Sequence, residues 1–228
     1  MIPILDLTCG VDLDIEDCKD LVSHLSSVGF VYLKNHQISA EKIEVCRKVA
    51  KEFFARSGDY KESFCENLPH KYVGYKPYES ERLNPAQKEK DAREAILFDA
   101  HTIQSNNWPD SSFEESFIPL IQDMGQLAIR VLKMIGIGLG LENPNILADA
   151  HTAFHRARNV DSRSFTTFRI NYYPKLEKSQ LKDDQVQCGE HADFGSITLL
   201  IQDHVPGLEV FSLHLLSLVA TASVSFSR

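Results

Sequence analysis

The residues with the clearest chemical meaning are His191 and Asp193, which stand two positions apart. An imidazole nitrogen and a carboxylate oxygen are ligands for first-row divalent metals, and a second imidazole would complete the facial triad of a non-haem Fe(II) site. Such a triad leaves positions open for a bidentate co-substrate and O2. Side chains two positions apart at the start of a strand project to the same face. The spacing therefore predicts two adjacent metal ligands, although a His-x-Asp pair by itself also occurs in ordinary surface turns.

A second group of polar side chains lies upstream, where the sequence changes to a period of two. The alternation from Ser164 to Tyr173 predicts a strand that Pro174 ends, because proline cannot continue a hydrogen-bonded ladder. One face of this strand carries Phe165, Thr167, Arg169, Asn171 and Tyr173. Asn171 and Tyr173 can therefore point into one pocket. Asn171 is equally well explained as a satisfied polar residue of the strand, and Arg169 is interpreted as a partner in a structural ion pair.

Helical patterns dominate the part of the chain before this strand. Asp14 and Ser39 are the predicted N-caps of two helices with apolar stripes. Ser112 and Glu115 form a capping box in front of the longest apolar stripe, which the glycines at 136, 138 and 140 end. This long helix is expected to pack against a sheet.

Short strands and one charged stretch complete the pattern. Besides the strand before Pro174, apolar runs predict strands over 29–34, 194–201 and 207–211. The charged stretch 88–94 is interpreted as a solvated helix face or loop. Helices first and strands later indicate an α+β fold.

Composition excludes several classes of function. The chain has 228 residues, 24 Lys+Arg against 32 Asp+Glu, and a net charge of −8, with 43% hydrophobic residues. An acidic chain without basic blocks argues against a nucleic-acid or anionic-membrane partner. The amino end lacks the pattern of a secretory signal. The five cysteines are widely spaced and without a C-x-x-C pair, which indicates reduced thiols in a cytoplasmic protein.

Several motifs stand in a specific order along residues 1–211. They are Ile2-Pro3-Ile4-Leu5-Asp6-Leu7, then 29–36, then Arg169-x-Asn171-Tyr172-Tyr173-Pro174, and then the run from His191-Ala192-Asp193-Phe194-Gly195-Ser196 to Asp203. In this order they resemble the isopenicillin-N-synthase-like group of Fe(II)/2-oxoglutarate-dependent dioxygenases. Gln37 departs from the group, which usually has Gly after Asn-His.

The resemblance implies a fold and a reaction. The fold is a double-stranded β-helix, or jelly roll, with a dioxygenase N-terminal region of helices and short strands at 1–110 and a backing helix with the first part of the jelly roll at 111–211. The reaction is decarboxylation of 2-oxoglutarate to succinate, coupled to oxidation of a small organic substrate by O2, with ascorbate as a supporting reductant. Fe(II) would be held by His191 and Asp193, and 2-oxoglutarate by Asn171 and Tyr173.

Two further features of the group are a distal His ligand and an Arg-x-Ser whose Arg pairs with the distal carboxylate of 2-oxoglutarate. The divergent tail 212–228 contains one His and no Arg-x-Ser, which predicts an incomplete jelly roll. Substitute ligands or outer-sphere groups, each also explained as an ordinary side chain, are His151, His155, Glu190, His204 and His214. A carboxyl-terminally truncated, non-catalytic isoform and an oxidase that does not use 2-oxoglutarate remain alternatives.

Overall fold

Helices and strands alternate in the first half of the chain. A computed structural model describes residues 2–8, 14–64, 73–99, 103, 107–151, 166–210 and 220–224. The helices are α1 (Ile15–Ser27), α2 (Ala40–Phe54), α3 (Gly58–Ser63), α4 (Ser111–Gly138) and α5 (Ile146–Asp149). The strands are β1 (Ile4–Asp6), β2 (Phe30–Lys34), β3 (Gly74–Lys76), β4 (Glu94–Asp99), β5 (Thr167–Tyr172), β6 (Ile197–Ile201) and β7 (Ala220–Val224). The predicted mixture of helices and strands is confirmed.

The strands form two sheets. One sheet has the order β1-β2-β7-β6 with parallel pairing throughout. The other has the order β3-β4-β5 with antiparallel pairing, and its register places Ala95 opposite Asn171 and Leu97 opposite Arg169. The polar residues predicted on β5 therefore lie beside the buried strand β4.

The chain divides into two compact units. The first consists of residues 1–40, 122–153 and 192–228 and contains the parallel sheet. In it, α1 begins as predicted, because the Asp14 carboxylate accepts the Glu16 N–H at 2.7 Å. A Cβ on Gly138 would lie 2.1 Å from the Cys18 carbonyl oxygen, so only glycine permits this approach of α4 to α1. Part of the core is formed by Ile129, Leu132 and Ala148, with Leu147 and Ile197 packed against them.

The second unit consists of residues 41–121 and 154–191 and contains the antiparallel sheet. Its core is rich in aromatic rings. Phe53 packs edge-on against Tyr75 and Phe113, with ring centroids 6.1 and 5.6 Å apart, and Phe113 lies 5.6 Å from Phe98. A buried ion pair between Lys61 and Glu94, at 2.6 Å, borders this core.

The start of α4 differs from the predicted capping box. The cap is Asp110, whose Oδ1 accepts the Phe113 N–H at 2.9 Å and whose carbonyl accepts the Glu114 N–H at 3.2 Å. Ser112 instead donates its hydroxyl to Asp110 at 2.7 Å. The predicted box was wrong because the helix begins at Ser111, one residue before Ser112, so Asp110 is the residue that caps the first turn.

Three other predictions about local structure are corrected. The strand predicted at 194–201 begins only at Ile197, because Gly195 has a φ of +105°, outside the extended range of a strand. Residues 207–210 form no strand, and Gly207 has a φ of +146°. Position 211 lies outside the described residues. The charged stretch 88–94 is a solvated loop only in its first part: Lys88 and Lys90 are exposed, whereas Asp91 and Arg93 are buried and Glu94 begins β4.

Two general expectations concern membranes and thiols. None of the helices in the described ranges is long and apolar enough to cross a membrane. Cys18, Cys46 and Cys188 are free thiols, as predicted. Cys9 and Cys65 lie outside the part of the chain that the structure describes.

Candidate functional site

His191 is the last residue of the second unit. The residue itself is exposed, but Gly189, two positions earlier, is buried. The Nδ1 atom of His191 lies 2.8 Å from the Gly189 carbonyl oxygen. Because a carbonyl oxygen only accepts hydrogen bonds, Nδ1 carries the proton, and a metal would be bound through Nε2.

Asp193 belongs to the first unit, where it is half-buried and precedes β6 by three residues. His191 and Asp193 therefore stand in the connection before the strand and not in the strand itself. The sequence predicted both side chains on one face because of strand alternation. That reason was wrong, since residues 191–196 are not part of a strand. The donor set of one imidazole and one carboxylate still fits a divalent metal.

Asn171, predicted to hold a co-substrate, is fixed by two arginines of the second unit. Its Oδ1 accepts hydrogen bonds from Arg169 Nε at 2.7 Å and Arg93 Nη1 at 3.1 Å. The orientation of the amide follows from these two donors, so the NH2 group is on the side away from the guanidinium groups. Arg169 also forms an ion pair with Glu81, which confirms the structural role predicted for it.

Tyr173 lies just beyond β5, and 43% of its surface is exposed. Its hydroxyl nevertheless interacts with Cys188 and Arg93. Desolvation raises the pKa of Tyr173 to about 12, with Cys188 adding to the shift and Arg93 opposing it. A phenol is protonated at neutral pH even without this shift, so the raised pKa reports that the hydroxyl lies in a desolvated place beside Cys188 and Arg93. Desolvation likewise raises the pKa of Cys188, against the effect of Arg93.

Asp91 and Arg93 are part of this polar network, although the sequence interpretation missed them. Arg93 is 4% exposed and Asp91 is fully buried, and Arg93 Nη2 lies 3.4 Å from Asp91 Oδ2 and 3.5 Å from Glu81 Oε2. Arg169 also pairs with Glu81, so the network contains two acidic side chains, Asp91 and Glu81, and two basic ones, Arg93 and Arg169. The signal that could have indicated their burial is the apolar run 95–98 directly after them.

The other candidate groups have different surroundings. His151 Nδ1 donates to the Leu147 carbonyl at 2.6 Å, and its Nε2 accepts from the Ser196 hydroxyl at 2.9 Å, so both ring nitrogens are engaged. His204 and Glu190 are exposed. His155 and His214 lie outside the described residues. Within the described ranges, no group of three or more His, Cys, Asp or Glu side chains is arranged to hold a metal ion.

The chain resembles one family model in its amino-terminal half. Residues 2–112 match the family described as the N-terminal region of non-haem dioxygenases in morphine synthesis. This stretch includes the strands β1 to β4.

Relatives of the chain are similar over most of its length. A 2-oxoglutarate-Fe(II) type oxidoreductase, ppzD of Metarhizium majus, is 30% identical over 85% of this chain and 60% of its own length. Validamycin A dioxygenase of Streptomyces hygroscopicus subsp. limoneus is 28% identical over 92% of this chain and 60% of its own length. The chain thus spans about 60% of the length of these curated relatives.

A solved structure shows the same fold. It is the crystal structure of a full-length Neurospora crassa protein in complex with alpha-KG, which aligns with a TM-score of 0.67 at 22% identity. The alignment covers 85% of this chain and 61% of the Neurospora crassa protein. At this identity the likeness concerns the fold alone.

Proposed function

We propose that the chain is a member of the Fe(II)/2-oxoglutarate-dependent dioxygenase family, and that it contributes the iron and 2-oxoglutarate site of an oxygenase that oxidises a small organic substrate. The reaction consumes O2 and converts 2-oxoglutarate to succinate and CO2 while the substrate is oxidised. The observation that carries the proposal is the hydrogen bond from His191 Nδ1 to the Gly189 carbonyl, 2.8 Å long. It presents a metal-binding nitrogen two positions before Asp193, in the motif that resembles the family.

His191 and Asp193 would hold the iron, through Nε2 and the carboxylate. The bound Fe(II) supplies coordination positions at which 2-oxoglutarate and O2 can react. The protein's part is to fix the ligands before the metal arrives. Hydrogen bonding of the second ring nitrogen is the usual way to fix the orientation of a metal-binding imidazole.

Asn171 and Tyr173 would hold 2-oxoglutarate. Two guanidinium groups occupy the Oδ1 side of Asn171, so its NH2 group is the part that can donate to a carboxylate. The Tyr173 hydroxyl is protonated at neutral pH, as any phenol is, and would donate as well. We do not assign this role to Arg169, because its charge is already paired with Glu81.

The finer architecture is proposed from the same resemblance. Residues 111–211 would comprise the backing helix and the first part of the jelly roll, after an amino-terminal region at 1–110 and before the divergent tail at 212–228. The free thiols of Cys18, Cys46 and Cys188 support a reducing, cytoplasmic compartment. Names of the relatives favour the oxygenase over a non-catalytic product.

The test is succinate formation from 2-oxoglutarate by the purified chain with Fe(II), ascorbate and air, across a panel of small organic substrates. We expect succinate that depends on Fe(II) and that His191→Ala and Asp193→Ala each abolish. His204→Ala is the matched control, because His204 is an exposed histidine, and it should retain the wild-type rate. Succinate formation that survives both ligand substitutions, or substrate oxidation that needs iron but no 2-oxoglutarate, would contradict the proposal.

A further inference from the structure

Asp91 is a buried carboxylate that holds the segment leading to His191. Its Oδ1 accepts the Gly189 N–H at 3.1 Å and its Oδ2 accepts the Leu83 N–H at 3.3 Å. Its charge is balanced by Arg93, whose Nη2 is 3.4 Å from Oδ2. The carboxylate is therefore fully engaged without any exposed surface.

Gly189 connects this carboxylate to the imidazole. Its N–H donates to Asp91, and its carbonyl oxygen accepts from His191 Nδ1 at 2.8 Å. Both polar groups of one buried residue are thus used, one by the acid and the other by the proposed metal ligand. A displacement of Gly189 would be transmitted directly to the ring of His191.

The surroundings of Gly189 permit little displacement. A Cβ at this position would lie 2.8 Å from Gln87 Oε1 and 3.0 Å from the Asn84 backbone nitrogen. The Ala92 N–H also donates to the Val186 carbonyl at 2.9 Å. The loop that contains Asp91 therefore fixes the path of the chain before His191.

From these contacts we propose that Asp91 is a positioning residue, which holds the Gly189 peptide so that His191 is fixed in its Nδ1–H form with Nε2 directed to the metal. The inference rests on the proposed function, because it concerns the ligand role of His191. A purely structural role for Asp91 would stabilise the second unit without affecting the imidazole.

The test has one readout on the metal-free protein and one on metal binding. The tautomer of His191 is measured by nitrogen NMR of the imidazole rings at about pH 8, where histidine is neutral, with His191→Ala used for assignment. Affinity for Mn(II) is measured by calorimetry. In the wild type we expect the Nδ1–H tautomer. Asp91→Ala should lose this preference and weaken Mn(II) binding by about 10- to 100-fold.

Two further variants, Asp91→Asn and Gly189→Ala, test the same proposal if Asp91→Ala does not fold. Asp91→Asn retains an oxygen that can accept the Gly189 N–H, so it should keep the tautomer and restore most of the affinity. Gly189→Ala leaves Asp91 intact but places a Cβ 3.0 Å from the Asn84 backbone nitrogen, a contact that one of the two backbones must relieve by a small shift. It should therefore weaken Mn(II) binding as Asp91→Ala does. Unchanged affinity and tautomer in Gly189→Ala would overturn the proposal.

A control separates positioning from general destabilisation. Asp110→Ala removes the cap of α4 in the same unit and has no contact with the segment before His191 in the described structure. It should leave Mn(II) affinity unchanged; an equal loss in Asp110→Ala and Asp91→Ala would overturn the positioning role. Wild-type protein that binds no Mn(II), or binds it equally well without His191, would refute the proposed function itself, whereas retained affinity in Asp91→Ala refutes only this inference.

Discussion

At the scale of single residues, Arg93 links the buried acid Asp91 to the proposed co-substrate residue Asn171. Its guanidinium lies 3.4 Å from Asp91 and 3.1 Å from Asn171. Its Nε and Nη2 atoms make no hydrogen bond within the described residues, so ion pairing holds this end of the group. A buried carboxylate that loses its cation has no compensation from water.

Arg93→Met keeps the unbranched side chain and removes the charge, leaving Asp91 buried and unpaired. We expect the free energy of unfolding to fall by about 3–5 kcal/mol, the usual effect of removing one partner of a buried pair. Urea denaturation measures it. Arg82→Met serves as the control, because Arg82 is exposed, and should change stability by less than about 0.5 kcal/mol. Equal effects of the two substitutions would contradict the role of Arg93.

The Cys46 thiol predicts a pH dependence of stability. Burial raises its pKa from 9.0 to about 12. Above the lower value the unfolded chain loses the thiol proton while the folded chain keeps it, so stability falls as the pH rises from 9 towards 12. Cys46→Ala lacks this group. The stability advantage of the wild type over Cys46→Ala should be constant below about pH 8 and then narrow by up to about 1.4 kcal/mol per pH unit.

Denaturant titrations of both proteins at a series of pH values measure this difference. A difference that stays constant above pH 9 would show that the thiol ionises equally in the folded and unfolded chains.

Some of these residues could be identified from sequence and others could not. Strand alternation before Pro174 placed Asn171 on the same face as Arg169, and the structural ion pair of Arg169 was predicted without its partner, Glu81. The burial of Asp91 and Arg93 was missed, because their own local pattern is one of mixed charges and only the apolar run 95–98 after them indicates the interior. Their partners, Gly189 and Asn171, are brought to them by sheet pairing and loop packing, which a local pattern does not contain.

At the scale of elements, the start of α4 shows how one extra polar residue decides a boundary. The Asp110 carboxylate accepts from the Phe113 N–H at 2.9 Å and from the Ser112 hydroxyl at 2.7 Å. Tyr60 also donates its hydroxyl to Asp110, at 3.1 Å. The sequence predicted the helix and its end at the glycines after 135, but it assigned the cap to Ser112, since both residues have side chains that can cap.

Asp110→Ala should lower the free energy of unfolding by about 0.5–2 kcal/mol, because the first turn loses its acceptor. Glu115→Ala is the matched control: it removes the acid of the predicted capping box, and it should change stability by less than about 0.5 kcal/mol. Thermal or urea unfolding of the two variants checks the assignment. A larger loss of unfolding free energy in Glu115→Ala than in Asp110→Ala would contradict the Asp110 cap and favour the capping box of Ser112 and Glu115.

Strand boundaries were less predictable than helix boundaries for a physical reason. Apolar runs at 194–201 and 207–211 have the composition of strands, but Gly195 and Gly207 adopt positive φ values of +105° and +146°. Glycine allows such conformations without steric cost. Composition alone does not reveal which glycine adopts a positive φ and so ends a strand.

At the scale of the whole molecule, the order of motifs is more informative than any one of them. His-x-Asp alone is common, but its position after the Asn171–Tyr173 strand and after the amino-terminal motifs gives the resemblance to the family. The match of residues 2–112 to a dioxygenase family model supports this resemblance, and the TM-score of 0.67 with the Neurospora crassa structure shows a shared fold. The substrate is not encoded in these shared elements, since function resides in the site and not in the fold.

The central claim, that His191 and Asp193 hold the iron, is tested most directly by anaerobic titration of the metal-free chain with Fe(II). We predict saturable binding of one ion, and a loss of affinity of more than about 100-fold in His191→Ala and in Asp193→Ala, since removal of a mere outer partner already costs about 10- to 100-fold. His204→Ala should bind as the wild type does. Binding that is absent from the wild type, or unchanged in both ligand variants, would contradict the account.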